Sequence, residues 1–101
     1  MRRSRTVVVH VHDGYDVYIG RAFRSYARRT PQNPVPGYFG NPFKAAEYDD
    51  CIAEFRRYFR ERIKKDVEFK RRVESLRGKR LGCFCKPGPC HGDVIASYLN
   101  G

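Results

Sequence analysis

The chain has 101 residues, enough for one domain with a single core and too few for a second. Hydrophobic residues make up 41% of it, and seven Tyr with seven Phe exclude a disordered polyelectrolyte. Lys and Arg number 21 against 11 Asp and Glu; the net charge of +10 makes nucleic acid, nucleotides or other polyanions the leading partners, with a plain solvated basic surface as the alternative.

Thr6 to Val11 is a β-branched run and predicts a buried strand, closed by the turn signal His12-Asp13-Gly14. Asp16 to Gly20 predicts a second short strand, paired with the first or continuing it past a kink. From about residue 21 to 44 periodicity disappears, and Pro31, Pro34, Pro36, Pro42, Gly37 and Gly40 predict a long loop. Its aromatics, Phe23, Tyr26, Tyr38, Phe39 and Phe43, favour an ordered loop packed on the domain, and loops of this length inside a compact domain are usually functional or disordered. The basic part (Arg21, Arg24, Arg28, Arg29) has no acid between its arginines, and Phe23 and Tyr26 suit stacked bases.

Ile52, Phe55, Phe59 and Ile63 recur at helical spacing and predict an amphipathic helix from about Ala45 to Lys65. Asp66 is placed to cap a second helix with Phe69, Val73 and Leu76 as its buried stripe and Gly78 as its stop. The charges on both helices, interleaved with Glu54, Glu61, Glu68 and Glu74, read as a solvated face. Arg80 to Cys85 predicts a strand with Leu81, Cys83 and Cys85 on one face, and Asp93 to Asn100 a closing helix. Strands, paired helices, strand and helix in this order predict a small single α/β domain over 1–101, with a partly parallel short sheet flanked by helices and a C-terminal strand, Cys/His turn and helix.

The segment Leu81 to Asp93 concentrates the chemistry. Cys83, Cys85, Cys90 and His91 stand where the last strand gives way, through Lys-Pro-Gly-Pro, to a helix start, whose free N–H groups favour anions. No run of apolar residues reaches the roughly 20 needed for a membrane span, and Val7 to Val9 is too short for a signal peptide, so a cytoplasmic protein without a membrane partner is expected. In a reducing compartment the cysteines are thiols, metal ligands or redox centres rather than a disulfide framework. Four soft or borderline ligands match the number for a closed zinc site. Adjacent Cys90 and His91 at a helix start should point apart, however, so no metal ligands and no cofactor are assigned, with zinc as the alternative. A thiol at a helix N-terminus beside Lys86 is a candidate nucleophile, which singles out Cys90, with Cys85 as nucleophile or resolving partner and His91 as proton carrier. Cys83 and Cys51 read as small buried hydrophobes.

Val17-Tyr-Ile-Gly-Arg21, Gly40-Asn-Pro-Phe43, Ser75-Leu-Arg-Gly-Lys79 and Leu81-Gly-Cys-Phe-Cys85 with Cys90-His91 occur in an order that resembles the domain of unknown function 4326 family, found in small proteins of phages, other viruses and prokaryotes. The resemblance runs from about Val17 to the C-terminus. It implies positions rather than a reaction: Tyr18, Gly20, Arg21, Gly40, Asn41, Pro42, Phe43, Cys83, Cys85, Cys90 and His91. The Arg-rich stretch between Arg21 and Gly37 departs from the family's usual shape.

The expected function is binding of a phosphate-bearing ligand, a nucleotide or nucleotide derivative, where the Gly-Asn-Pro loop meets the Cys-His turn. Gly20, Arg21, Gly40, Asn41, Pro42, Lys86 and Asp93 are the expected binding residues. Arg21 would meet the phosphate, Asn41 a polar edge through its amide, and the Cys90-His91 backbone the anion. Whether chemistry follows is open; Cys85, Cys90 and His91 would carry it. The alternative is a non-enzymatic nucleic-acid-binding module, zinc-stabilised in one version.

Overall fold

The computed structural model describes residues 5–101. Among the described residues, three short strands form one sheet and three α-helices pack around it. The first strand, β1 (Val7–His10), runs directly into a 3-10 turn over Val11–Asp13, and β2 (Val17–Tyr18) follows. The α-helices are α1 (Cys51–Lys65), α2 (Val67–Glu74) and α3 (Gly92–Asn100), with β3 (Arg80–Cys83) between the last two.

The α/β class stands, with two corrections to the sheet. The strand order is β1-β3-β2 and both outer strands run parallel to β3, so the described sheet is wholly parallel. The second strand therefore neither pairs with the first nor continues it. Val7 to His10 face Arg80 to Cys83, and Val17 and Tyr18 face Leu81 and Gly82. Bonds from the Asp16 and Ile19 amides to the Arg80 and Gly82 carbonyls extend the β2 ladder at both ends. A parallel pair needs a crossover, and the long loop with α1 and α2 supplies it between β2 and β3. Central β3 is accordingly buried from Leu81 to Cys83, whereas β1 at the edge is only half-buried.

Helix α1 starts later than its apolar spacing predicts. Ala45 and the residues after it form turns, and the Asp50 carboxylate accepts the Ala53 N–H at 3.0 Å, so this cap sets the start. Asp66 closes α1 and opens α2, accepting the Phe69 N–H at 3.0 Å. The predicted α2 stripe holds: Phe69, Val73 and Leu76 are buried. The helix itself ends at Glu74, and Gly78, at a φ of 79°, takes the left-handed turn that leads into β3. There the Gly78 N–H donates to Thr6 Oγ1 at 2.7 Å, and Thr6 exchanges two backbone bonds with the Asn100 side chain. One buried threonine thus ties the start of the described chain to the entry of the central strand and to the last turn of α3.

Phe39, Phe55, Phe59, Phe69, Ile19, Leu81 and Ile95 make up much of the core. The loop from 21 to 44 contributes Phe39 to it and includes a 3-10 turn at Arg24–Tyr26. Asn33, buried within this loop, donates to the Tyr18 carbonyl at 3.0 Å, so the loop covers the open edge of β2 that another chain would otherwise find. The helix charges form surface ion pairs such as Arg57–Glu54 and Arg71–Glu68, as interleaved charges predict. Arg62 does more than pair with Asp66 at 3.1 Å: it lies 4.1 Å from the Phe69 ring centroid and donates to Tyr58 Oη, joining α1 to α2. Among the described residues no helix is long and apolar enough to cross a membrane.

Candidate functional site

The ends of β2 and β3, the loop and the starts of α1 and α3 surround a cavity of about 580 Å³. Gly20, Arg21, Asn41, Cys85, Cys90 and His91 line it, so segments some twenty to seventy residues apart in the sequence meet there. Asn41 and His91 share this hollow with Arg21. Gly40 and Pro42 open instead onto an adjoining hollow on the other side of Arg21 and Asn41. Lys86 and Asp93 are not lining residues; they pair with each other at 2.6 Å.

Several of these side chains are committed to the fold. Arg21 donates through Nε to the Asn41 carbonyl at 2.7 Å and through Nη2 to the Phe43 carbonyl at 2.8 Å. Asn41 donates to the Cys51 carbonyl at 3.1 Å and accepts the Phe43 N–H at 2.9 Å. The Gly-Asn-Pro turn is thus clamped from both sides, with Asn41 serving the backbone rather than presenting a whole amide to a ligand. The start of α3 is likewise occupied. Asp93 Oδ2 accepts the Cys90 N–H at 3.1 Å, and Cys90 Sγ accepts the Gly92 N–H at 3.3 Å. The expected anion position at the Cys90-His91 backbone therefore carries a carboxylate of the chain's own.

The thiols differ from expectation too. Cys90 is not the activated thiol of a helix start: it precedes the helix by two residues and is buried. Its Sγ lies 2.9 Å from Cys83 Sγ and 3.7 Å from His91 Nδ1. The two thiols share one environment and ionise as a unit. The hydrogen bond from Cys90 holds Cys83 well below the ordinary thiol range. That same bond, and then burial, push Cys90 up. Cys85 is exposed, and burial of its sulfur followed by the Cys83 charge raises its pKa. Lys86 does not activate a thiol, because Asp93 holds it.

His91 is buried, and its Nε2 lies 2.8 Å from the Ile19 carbonyl. Phe55 stands edge-on to the ring at 5.0 Å between centroids. Because the carbonyl can only accept, Nε2 carries a hydrogen, and Nδ1 faces the sulfurs. Gly92 allows this close seating: a Cβ there would stand 2.5 Å from Ile19 Cδ1.

Aromatic rings form the outer wall. Tyr18, Phe23 and Phe84 line the cavity, and Tyr26 packs against Tyr18 at 4.7 Å and Phe84 at 5.0 Å. Phe23 and Phe84 are 48% and 41% exposed, which leaves ring faces open to solvent or a ligand. Tyr18 donates to the Arg21 carbonyl at 2.8 Å. Its phenol is pushed up to about 12, by burial first and then by Cys83 and neighbouring tyrosines.

A family model, Domain of unknown function (DUF4326), matches residues 1–101. The chain belongs to this family. The "Uncharacterized 12.4 kDa protein in nrdA-td intergenic region" of Enterobacteria phage T4 is 48% identical over 56 residues. That match covers 55% of this chain and 52% of the relative, about half of each. No solved structure matches the chain.

In this DUF4326 chain the motif positions divide by depth. Cys83, Cys90 and His91 form a buried floor that can hold a metal ion, Arg21 and Asn41 brace the loop, and Cys85 stands open to the cavity. The sequence alone reads Cys83 as a packing residue once the zinc set is set aside, carries Tyr18 only as a motif position, and gives Phe84 no role. Cys83 shares the buried face of the central strand with Leu81, and that face does lead to Cys90. A strand's period of two predicts burial there but carries no information about a second thiol arriving from the following turn.

Proposed function

We propose that the cavity binds a small phosphate-bearing compound with a planar ring, a nucleotide or nucleotide derivative. The observation that carries this reading is the meeting of Tyr18, Gly20 and Arg21 with Asn41, the Cys83 to Cys85 strand end and Cys90-His91 around one hollow. At about 580 Å³ it is of small-molecule size. Tyr18, Phe23 and Phe84 offer faces for a base, and stacking of this kind contributes about 1–3 kcal/mol per base. The phosphate would lie outward, toward the basic loop. The net charge of +10 favours its approach. Arg21 supplies charge rather than a free guanidinium fork, since two of its nitrogens hold loop carbonyls. The reading is one of binding: the exposed thiol at the cavity, Cys85, has its pKa raised by burial of its sulfur, which disfavours the thiolate.

The exposed pair of rings supports a second reading. Phe23 and Phe84 lie 5.8 Å apart, and Arg24 sits 5.1 Å from the Phe23 centroid, with Arg28 and Arg29 exposed on the same loop. Such a surface suits single-stranded nucleic acid. Thermal-shift titration with mononucleotides and with short oligonucleotides separates the two. The pocket reading expects saturable stabilisation by a mononucleotide, about 2.7 kcal/mol at a hundredfold excess over Kd, lost in Phe84→Ala. Binding of oligonucleotides alone would select the surface reading. Its salt slope should then fall by about one for each arginine–phosphate pair removed, as in Arg24→Ala, Arg28→Ala or Arg29→Ala. Stabilisation by neither class would reject both.

A further inference from the structure

One ligand atom each from Cys83, Cys90 and His91 lies within 4.8 Å of the other two, and all three side chains are buried. Burial of two thiols against an imidazole nitrogen is costly unless the polar atoms find partners. The imidazole is held in one orientation by the Ile19 carbonyl at 2.8 Å on Nε2, which leaves Nδ1 facing the sulfurs. A histidine that gives its other N–H to a backbone carbonyl is the arrangement that orients metal-ligating imidazoles.

We propose that Cys83 Sγ, Cys90 Sγ and His91 Nδ1 hold one zinc-class divalent ion, whose fourth position faces the cavity beside Cys85. Two thiolates and an imidazole select zinc over the hard cations that prefer oxygen. With Zn–S near 2.3 Å and Zn–N near 2.0–2.1 Å, tetrahedral angles put sulfur and nitrogen about 3.6 Å apart and two sulfurs about 3.8 Å apart. The Cys90–His91 separation, 3.7 Å, already fits. Cys83 and Cys90, now at 2.9 Å, must part by about 0.9 Å, which a small rotation of one thiol about its Cα–Cβ bond supplies. Gly92 N–H on Cys90 Sγ adds a hydrogen bond that favours thiolate. Three protein ligands with one position open to a ligand cavity is the pattern of exchangeable rather than sealed zinc sites. Neighbouring Cys90 and His91 act together because His91 caps α3 at φ −59° while Cys90 lies outside the helix, so the two side chains need not diverge as helical neighbours do. The donor geometry stands independently of the nucleotide reading: a chain that holds zinc and ignores nucleotides would refute only the latter.

The test is elemental analysis of the full chain purified with reductant and without chelator, followed by Co²⁺ titration of the demetallated chain read by visible absorption. We expect one ion per chain and a tetrahedral spectrum with sulfur-to-cobalt charge transfer. C83S, C90S and H91Q should each abolish stoichiometric binding. C85S should retain the ion with an altered spectrum, and C51S should match the parent. Because the first three substitutions are buried, the parent chain supplies a second measurement. Zinc should protect Cys83 and Cys90 from alkylation, mapped by mass spectrometry, and a chelator should release both. Alkylation indifferent to zinc, a Cys83–Cys90 disulfide persisting in reductant, or loss of the ion in C85S would each overturn the proposal.

Discussion

Replacing Asn41 by Ala distinguishes a brace from a ligand reader. In the fold its amide spans the loop and the first turn of α1, giving to the Cys51 carbonyl at 3.1 Å and accepting from the Phe43 N–H at 2.9 Å. Alanine leaves the Cys51 carbonyl with its helical partner, so that loss falls at about 0.5–1.5 kcal/mol. The Phe43 amide has no such second partner, and an orphaned donor costs about 1–3 kcal/mol. Phe43 is half-exposed, so water lessens the second cost and the sum comes to about 2 kcal/mol. For a domain of this size that corresponds to a fall in Tm of about 8–16 °C, measurable by circular dichroism or calorimetry without any ligand. Asn41→Asp is the companion variant. It turns a carboxylate oxygen toward the Cys51 carbonyl, so it should be at least as damaging at neutral pH. Repulsion and burial raise the new carboxyl's pKa in the fold, so the lost stability should return as pH falls and the protonated group donates again. A change in Tm below about 2 °C for Asn41→Ala, set against the expected loss, would refute the brace.

Thr6→Val keeps the shape but removes the acceptor of the half-buried Gly78 N–H, and should cost about 1–3 kcal/mol in urea unfolding, while Thr6→Ser stays close to the parent. Gly92→Ala should destabilise by about 1–3 kcal/mol despite alanine's better helix propensity, because its Cβ meets Ile19 at 2.5 Å and Val8 at 3.1 Å; an increase in Tm would show that this corner yields. In ultraviolet titration one phenol should ionise near pH 12, and that step should vanish in Tyr18→Phe. Since the fold favours the neutral phenol, Tyr18's contribution to stability is intact below its ordinary value near 10 and is lost as pH rises toward about 12.

Local signals carried much of the architecture. The Asp66 cap and the Phe69, Val73 and Leu76 stripe were readable because one helix turn contains cap and first contact together. The start of α1 was not, since Ala45 and Ala46 favour helix and only the rival cap at Asp50 moves the boundary. Strand pairing lies further from the sequence. A two-residue β2 carries no usable period, and its partner is some sixty residues away. The cavity could be expected from residues that neither core nor surface explained, but roles within it could not. Arg21, Asn41 and Asp93 carry the right groups for a ligand and direct them largely at the chain itself.

The strand that pairs with both others is also the last of the three to be synthesised. Until Arg80 to Cys83 emerge from the ribosome, β1 and β2 have no described neighbour to pair with, and the Ile19 carbonyl lacks the histidine that will occupy it. The chain up to Lys79 therefore emerges with neither outer strand paired. Fragments ending before Arg80 should be protease-sensitive, and the long separations of the sheet pairings favour one late, cooperative folding event over stepwise growth.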